Sequence, residues 1–246
     1  MASDYVRVAD TETRLVSVVH AVAVVVAAFL MGGLVLAFVA DAALGAAGIG
    51  RDSTVYYVTL FAAQFTGFGV VVVGYLALRD QWDLFEVSVP SLKDLAWVVA
   101  GFLGILGTAA GIGWVVSQLG TQTAQNEVVE IGQTNPDLYL YMIPIALLFV
   151  GPAEELVFRG VVQGLLRRAY GVVPAVLATS VFFGVAHIFA LTGSGKVTYM
   201  AIAAAMGLIL GALYERTENI VVPALVHGGW NAFLFLGLWA TSAASV

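Results

Sequence analysis

Seven long apolar stretches dictate what this chain can fold into. They run over residues 15–40, 54–78, 92–119, 136–170, 172–191, 197–214 and 220–239, and about 20 such residues suffice to cross a bilayer's hydrocarbon core. Backbone polar groups in lipid must be satisfied within the segment or in a closed barrel, and stretches this long do so as helices. The fold expected is therefore all-α: a polytopic helical membrane bundle of seven spans, or eight if the polar segment 120–136 hides a re-entrant helix. Only 11% of the residues are charged, against about 25% in soluble domains. No solenoid-type repeat divides the chain, so residues 1–246 read as one membrane-embedded domain. The absence of cysteine excludes disulfides, thiolate metal sites and cysteine nucleophiles. A net charge of −6 gives no support to a nucleic-acid partner; the partner expected from composition is membrane lipid, with the oligomeric state left open.

Basic residues orient the bundle. With the N-terminus inside, seven of them (Arg7, Arg14, Arg79, Lys93, Arg167, Arg168, Arg216) fall at inside ends and two (Arg51, Lys196) outside. That bias predicts a multi-pass cell-membrane protein with a cytoplasmic N-terminus. Ser91, after Pro90, is placed to cap the third helix. The third span carries small residues at Gly104, Gly107 and Gly111, which read as a packing stripe, and Tyr139, Tyr141 and Trp239 as an aromatic belt. His20 reads as an interfacial or hydrogen-bonded histidine. The fourth stretch, about 33 residues at about 1.5 Å each, exceeds a core of about 30 Å. It is expected to tilt, to kink at Pro152, or to emerge with Arg167 and Arg168 in water.

Inside that fourth stretch stands Gly151-Pro-Ala-Glu-Glu-Leu-Val-Phe-Arg159. An ionised side chain at bilayer depth costs at least about 2.5–3.5 kcal/mol, so intramembrane charges mark function by default. Glu155 and Arg159 are four apart and pair along a helix. Glu154 is turned by about 100°, so one acid can hold the arginine while the other faces the bundle. Later spans add Phe183-Gly-Val-Ala-His187 and His227-Gly-Gly-Trp-Asn231, the last pair again one turn apart on one face. A carboxylate and a histidine converging in a dry cavity can activate water, and a second histidine with an asparagine amide can donate to an oxyanion. Glutamate with two histidines is also a zinc ligand set. The H-E-x-x-H spacing is missing, and making Glu154 a ligand would leave Glu155 as base without its arginine. The metal-free scheme is therefore preferred and no metal is assigned; a zinc site, if present, would use Glu154, His187 and His227. Ser180, Ser194 and Ser242 have no His–Asp arrangement beside them, which argues against a serine protease. Phe183 and Trp230 read as packing residues.

Glu154-Glu155-x-x-x-Arg159, Phe183-x-x-x-His187 and His227-x-x-x-Asn231, in this order within spans, resemble the motifs of the CPBP (Abi) family. That family includes the Rce1-type CAAX prenyl proteases and the bacteriocin-processing proteins. The match covers residues from about 140 to 235, within the helices 137–235. The resemblance implies an all-helical intramembrane endopeptidase in which Glu154 and His187 activate water, His227 and Asn231 stabilise the oxyanion, and Glu155 with Arg159 is structural. It also implies a peptide or prenylated-protein C-terminus as substrate, cut from the cytoplasmic side, and leaves open whether the hydrolase is a metalloprotease. Two other classes compete: a membrane immunity protein that sequesters a peptide without cutting it, and a proton-coupled transporter, which the lack of paired broken helices disfavours.

Overall fold

The computed structural model describes residue 6 and residues 9–244, so Arg7 of the basic-residue tally lies outside the described residues. Seven helices are long and apolar enough to span a membrane: α1 (Thr11–Ala46), α2 (Thr54–Arg79), α3 (Leu92–Gln118), α5 (Asp137–Tyr170), α6 (Val172–Ala190), α7 (Lys196–Thr217) and α8 (Val221–Ala243). The protein is thus an all-α, multi-pass membrane protein. The polar segment before α5 holds no further span. It forms a two-residue strand β1 (Gln125–Asn126) and a short helix α4 (Glu127–Thr134). β1 pairs antiparallel with β2 (Leu191–Thr192), which follows α6.

Local signals set the helix ends. Ser91 accepts from the Asp94 backbone N–H while Asp94 returns a bond to the Ser91 N–H, a complete capping box at the start of α3. Ser53 caps α2 through the Tyr56 N–H, and Asn126 caps α4 through the Val128 N–H. Outward faces stay apolar, with Leu103, Val99 and Leu92 exposed on α3, as a lipid-facing helix requires.

α5 is the enclosed centre. Every residue from Val157 to Gln163 is buried. Its length is taken up by two widened, π-helical stretches, Ala146–Val150 and Leu156–Gln163, on either side of the paired glutamates. The first ends two residues before Pro152 and contains Leu148, the residue whose carbonyl a proline ring four residues on would clash with; a wider turn relieves that clash. At its end α5 emerges: Arg167 pairs with Glu215, and Arg168 with Asp83. The Arg168 guanidinium holds the Asp83 carboxyl below the usual aspartate range.

Two sequence expectations change. Gly107 and Gly111 face open space and Gly104 only grazes Ile209, so the stripe on α3 is not a close crossing; Gly101, against Leu213 and Val226, is the tight point. Tyr139 is not part of a belt: it is 1% exposed and its hydroxyl donates to the Val129 carbonyl, tying α5 to α4. The segment between α2 and α3 folds back on the bundle. Trp82 is exposed, but Leu84 is buried, lying against Gly164 with Phe85 against Gly160.

Candidate active site

The site is built where α5 and α8 cross. A Cβ on Gly151 would come within 2.7 Å of the Ala224 carbonyl, and one on Gly228 within 2.7 Å of the Ala146 carbonyl. Only glycine lets two backbones approach so closely. The crossing lays Glu154 and Glu155, one turn past Gly151, against His227, next to Gly228.

The two glutamates diverge as their 100° offset demands. Glu155 is fully buried, and its Oε1 accepts from Arg159 Nη1 at 2.9 Å. The same oxygen lies 2.9 Å from His227 Nδ1. Arg159 spends its Nη2 on the Gly207 carbonyl of α7 at 3.0 Å, and its guanidinium lies over the Phe183 ring at 4.4 Å. An uncompensated buried charge is costly; here the arginine has a carboxylate, a carbonyl and a ring face. Glu154 instead faces the cavity. Its Oε2 is buried with no hydrogen-bond partner and sits 3.7 Å from His227 Nε2.

His187 closes α6. Its Nδ1 is 2.7 Å from the Phe183 carbonyl, and only a protonated Nδ1 can bond a carbonyl. In the neutral ring that leaves Nε2 as the free acceptor. The Phe183 ring stands edge-on to both His187 and His227, with centroids 4.8 and 5.5 Å away. Phe183, read from sequence as packing alone, therefore fixes both histidines and Arg159. Its one sequence signal is its place one turn before His187 in Phe183-x-x-x-His187. Trp230 does pack only, against Phe102 and Phe233.

Glu154, His187, His227 and Asn231 all line one cavity of about 410 Å³. Much of its wall is aromatic, with Phe61, Phe65, Phe68 and Phe158 among the lining residues, while Gln125, Asn126 and Glu127 line it from β1 and α4. From sequence the 120–136 segment is only a polar stretch; the β1–β2 pairing that fixes it beside the site is two residues long and has no periodicity to detect. Among the described residues no three His, Asp or Glu side chains gather as a metal-ligand set. His187 Nδ1 and His227 Nδ1 are each taken by a protein acceptor, which leaves Nε2 as the remaining ring nitrogen of each histidine.

Two comparisons with known proteins found a match. The "Putative membrane peptidase YdiL" of Bacillus subtilis (strain 168) is 29% identical over 148 residues, 58% of this chain and 56% of that protein, so the match spans about half the relative's length. No solved structure matches the chain. Residues 136–233, which hold all four cavity-lining motif residues, match the family model described as Type II CAAX prenyl endopeptidase Rce1-like, and over that region the chain resembles the Rce1-type membrane proteases.

Proposed function

We propose that this protein is an intramembrane endopeptidase that hydrolyses a peptide bond with a water activated by Glu154 and His187. The observation that carries the reading is the convergence of Glu154, His187, His227 and Asn231 on one largely apolar cavity. In the proposed step, the water oxygen attacks the peptide carbonyl carbon as its proton passes to the Glu154 carboxylate. Glu154 has a buried oxygen free to take it, and His187, with Nδ1 engaged, offers Nε2 to orient the water. The carbonyl becomes an oxyanion, met by the Asn231 amide and by His227. The C–N bond then breaks, and the proton held by Glu154 goes to the leaving amine.

His227 has one requirement in this scheme. With Nδ1–H given to Glu155, Nε2 donates only if the ring is an imidazolium. One histidinium and one arginine among two glutamates balance the charge of the cluster, which supports that form. Glu155 is then the positioning residue of His227 as well as the partner of Arg159.

The apolar wall suits an apolar side chain or a lipid group beside the scissile bond. A farnesylated C-a-a-X peptide is therefore the first substrate to test, next to its unprenylated form. Purified protein in detergent, with Glu154→Gln and His187→Ala alongside, is assayed with a fluorogenic peptide, with and without a chelator. Cleavage by the unaltered chain alone, indifferent to chelator, is the expected result. Binding without cleavage, unaffected by Glu154→Gln, would instead support the peptide-sequestering reading.

A further inference from the structure

The cavity does not sit midway along the bundle. Its lining comes from β1, from the start of α4 and from the last turn of α6, through His187 and Phe189, as well as from the first half of α2 at Phe61. All these belong to the end of the bundle that carries the α1–α2, α3–α5 and α6–α7 connections. No residue of the opposite connections (80–91, 171 and 218–220) lines it. Gln125 and Glu127, both exposed, mark its polar mouth at that same end.

Basic residues divide unequally between the two ends. Among the described residues, Arg14, Arg79, Lys93, Arg167, Arg168 and Arg216 lie at the closed end, and Arg51 and Lys196 at the cavity end. Arg159 is buried within the bundle and counts for neither. Lysine and arginine within short loops are retained in the cytoplasm, so six against two puts the closed end there. The closed end is also sealed by protein. Leu84 and Phe85 lie on α5, and the segment is pinned by a reciprocal pair, the Ser88 N–H donating to Asn219 Oδ1 at 3.3 Å and Asn219 Nδ2 to the Ser88 carbonyl at 3.1 Å.

We infer that the cavity opens to the extracytoplasmic face, and that its substrate is an exported, membrane-anchored polypeptide whose scissile bond lies in or just above the outer leaflet. This departs from the cytoplasmic-side cleavage that the family resemblance implies, and a protein acylated or prenylated inside the cell reaches this site only after crossing the membrane. The substrate class rests on the proposed peptidase chemistry; the orientation does not.

The chain contains no cysteine, so single cysteines report sidedness without background. Thr121→Cys is placed at the cavity end and Val87→Cys at the closed end, both at exposed positions, with Asp52→Cys and Val89→Cys as a second pair. Each is treated with a membrane-impermeant maleimide in intact cells and after permeabilisation. Thr121→Cys and Asp52→Cys are expected to label at least tenfold more strongly than Val87→Cys and Val89→Cys in intact cells, and all four equally after permeabilisation. The reverse pattern, or equal labelling of both ends in intact cells, overturns the orientation. In sealed right-side-out vesicles, a peptide cut by the detergent-solubilised enzyme is expected to be cleaved from outside; cleavage only after the vesicles are opened overturns the outward access. Labelling needs no catalysis, so a chain that labels as expected but cuts nothing in detergent counts against the peptidase reading and leaves the orientation standing.

Discussion

His227 Nδ1 and Arg159 Nη1 share one acceptor: each lies 2.9 Å from Oε1 of Glu155. The guanidinium, carboxylate and imidazole form a line from the middle of the bundle to the cavity, ending at Glu154. Arg159 is therefore expected to matter for stability first. Removing one partner of a buried ion pair costs about 3–5 kcal/mol, because the other charge is left buried. Arg159→Met should lower the midpoint of thermal unfolding in detergent well below that of Glu154→Gln, whose Oε2 makes no hydrogen bond and has only the longer 3.7 Å approach to His227 to lose. Equal midpoints for the two variants would mean that Arg159, with its Glu155 and Gly207 partners, does not stabilise the bundle.

Asn231 is expected to act on the transition state rather than on binding. A positioned oxyanion donor is worth about 10²–10³ in kcat. Asn231→Ala should therefore lower kcat by that order with KM changed only a few-fold, on whichever peptide the unaltered chain cuts. A loss confined to KM would place Asn231 among the groups that merely hold substrate.

The α5–α8 crossing has no room for a side chain. A Cβ at Gly228 would meet the Ala146 carbonyl at 2.7 Å and the Leu147 Cα at 3.1 Å, both backbone atoms that cannot swing aside. Gly228→Ala should cost about 1–3 kcal/mol by overpacking and Gly228→Val more. Because the crossing carries Glu154 to His227, activity should fall further than stability does. Gly107→Ala, which faces open space, is the control and should be silent.

The spans were legible because lipid leaves only one solution for long apolar sequence, and the Glu154–Arg159 stretch because charge in such sequence is costly. The divergence of Glu154 from Glu155 followed from helical geometry alone and survived the π-helical widening after Glu155. What could not be read was tertiary. Phe183 acts through a carbonyl and a ring face, and Glu155 reaches His227 on a helix 72 residues away in sequence. Gly101 and Gly107 look alike along α3, and only the neighbouring α7 and α8 distinguish them. The glycines that do bring the site together, Gly151 and Gly228, stand beside the motif residues without any spacing of their own to announce them.

The loop that seals the closed end of the bundle should loosen on acidification. Asp83 Oδ2 takes a bond from Arg168 Nη2 at 2.9 Å, and this partner lowers the carboxyl's pKa. A depressed carboxylate contributes stability that is fully present above its unfolded pKa, about 3.9, and is lost as pH falls through the lower folded value. Both side chains are largely exposed to solvent, so the effect is local rather than global. Trp82, adjacent and exposed, reports it. The difference in emission between the unaltered chain and Trp82→Phe, followed from pH 6 downward, should show a transition below the ordinary aspartate range. In Arg168→Gln the carboxyl loses its cation, and the midpoint should move up into that range. A midpoint identical in both chains would show that Arg168 does not hold the loop, and that the seal rests on Leu84, Phe85 and the Ser88–Asn219 pair alone.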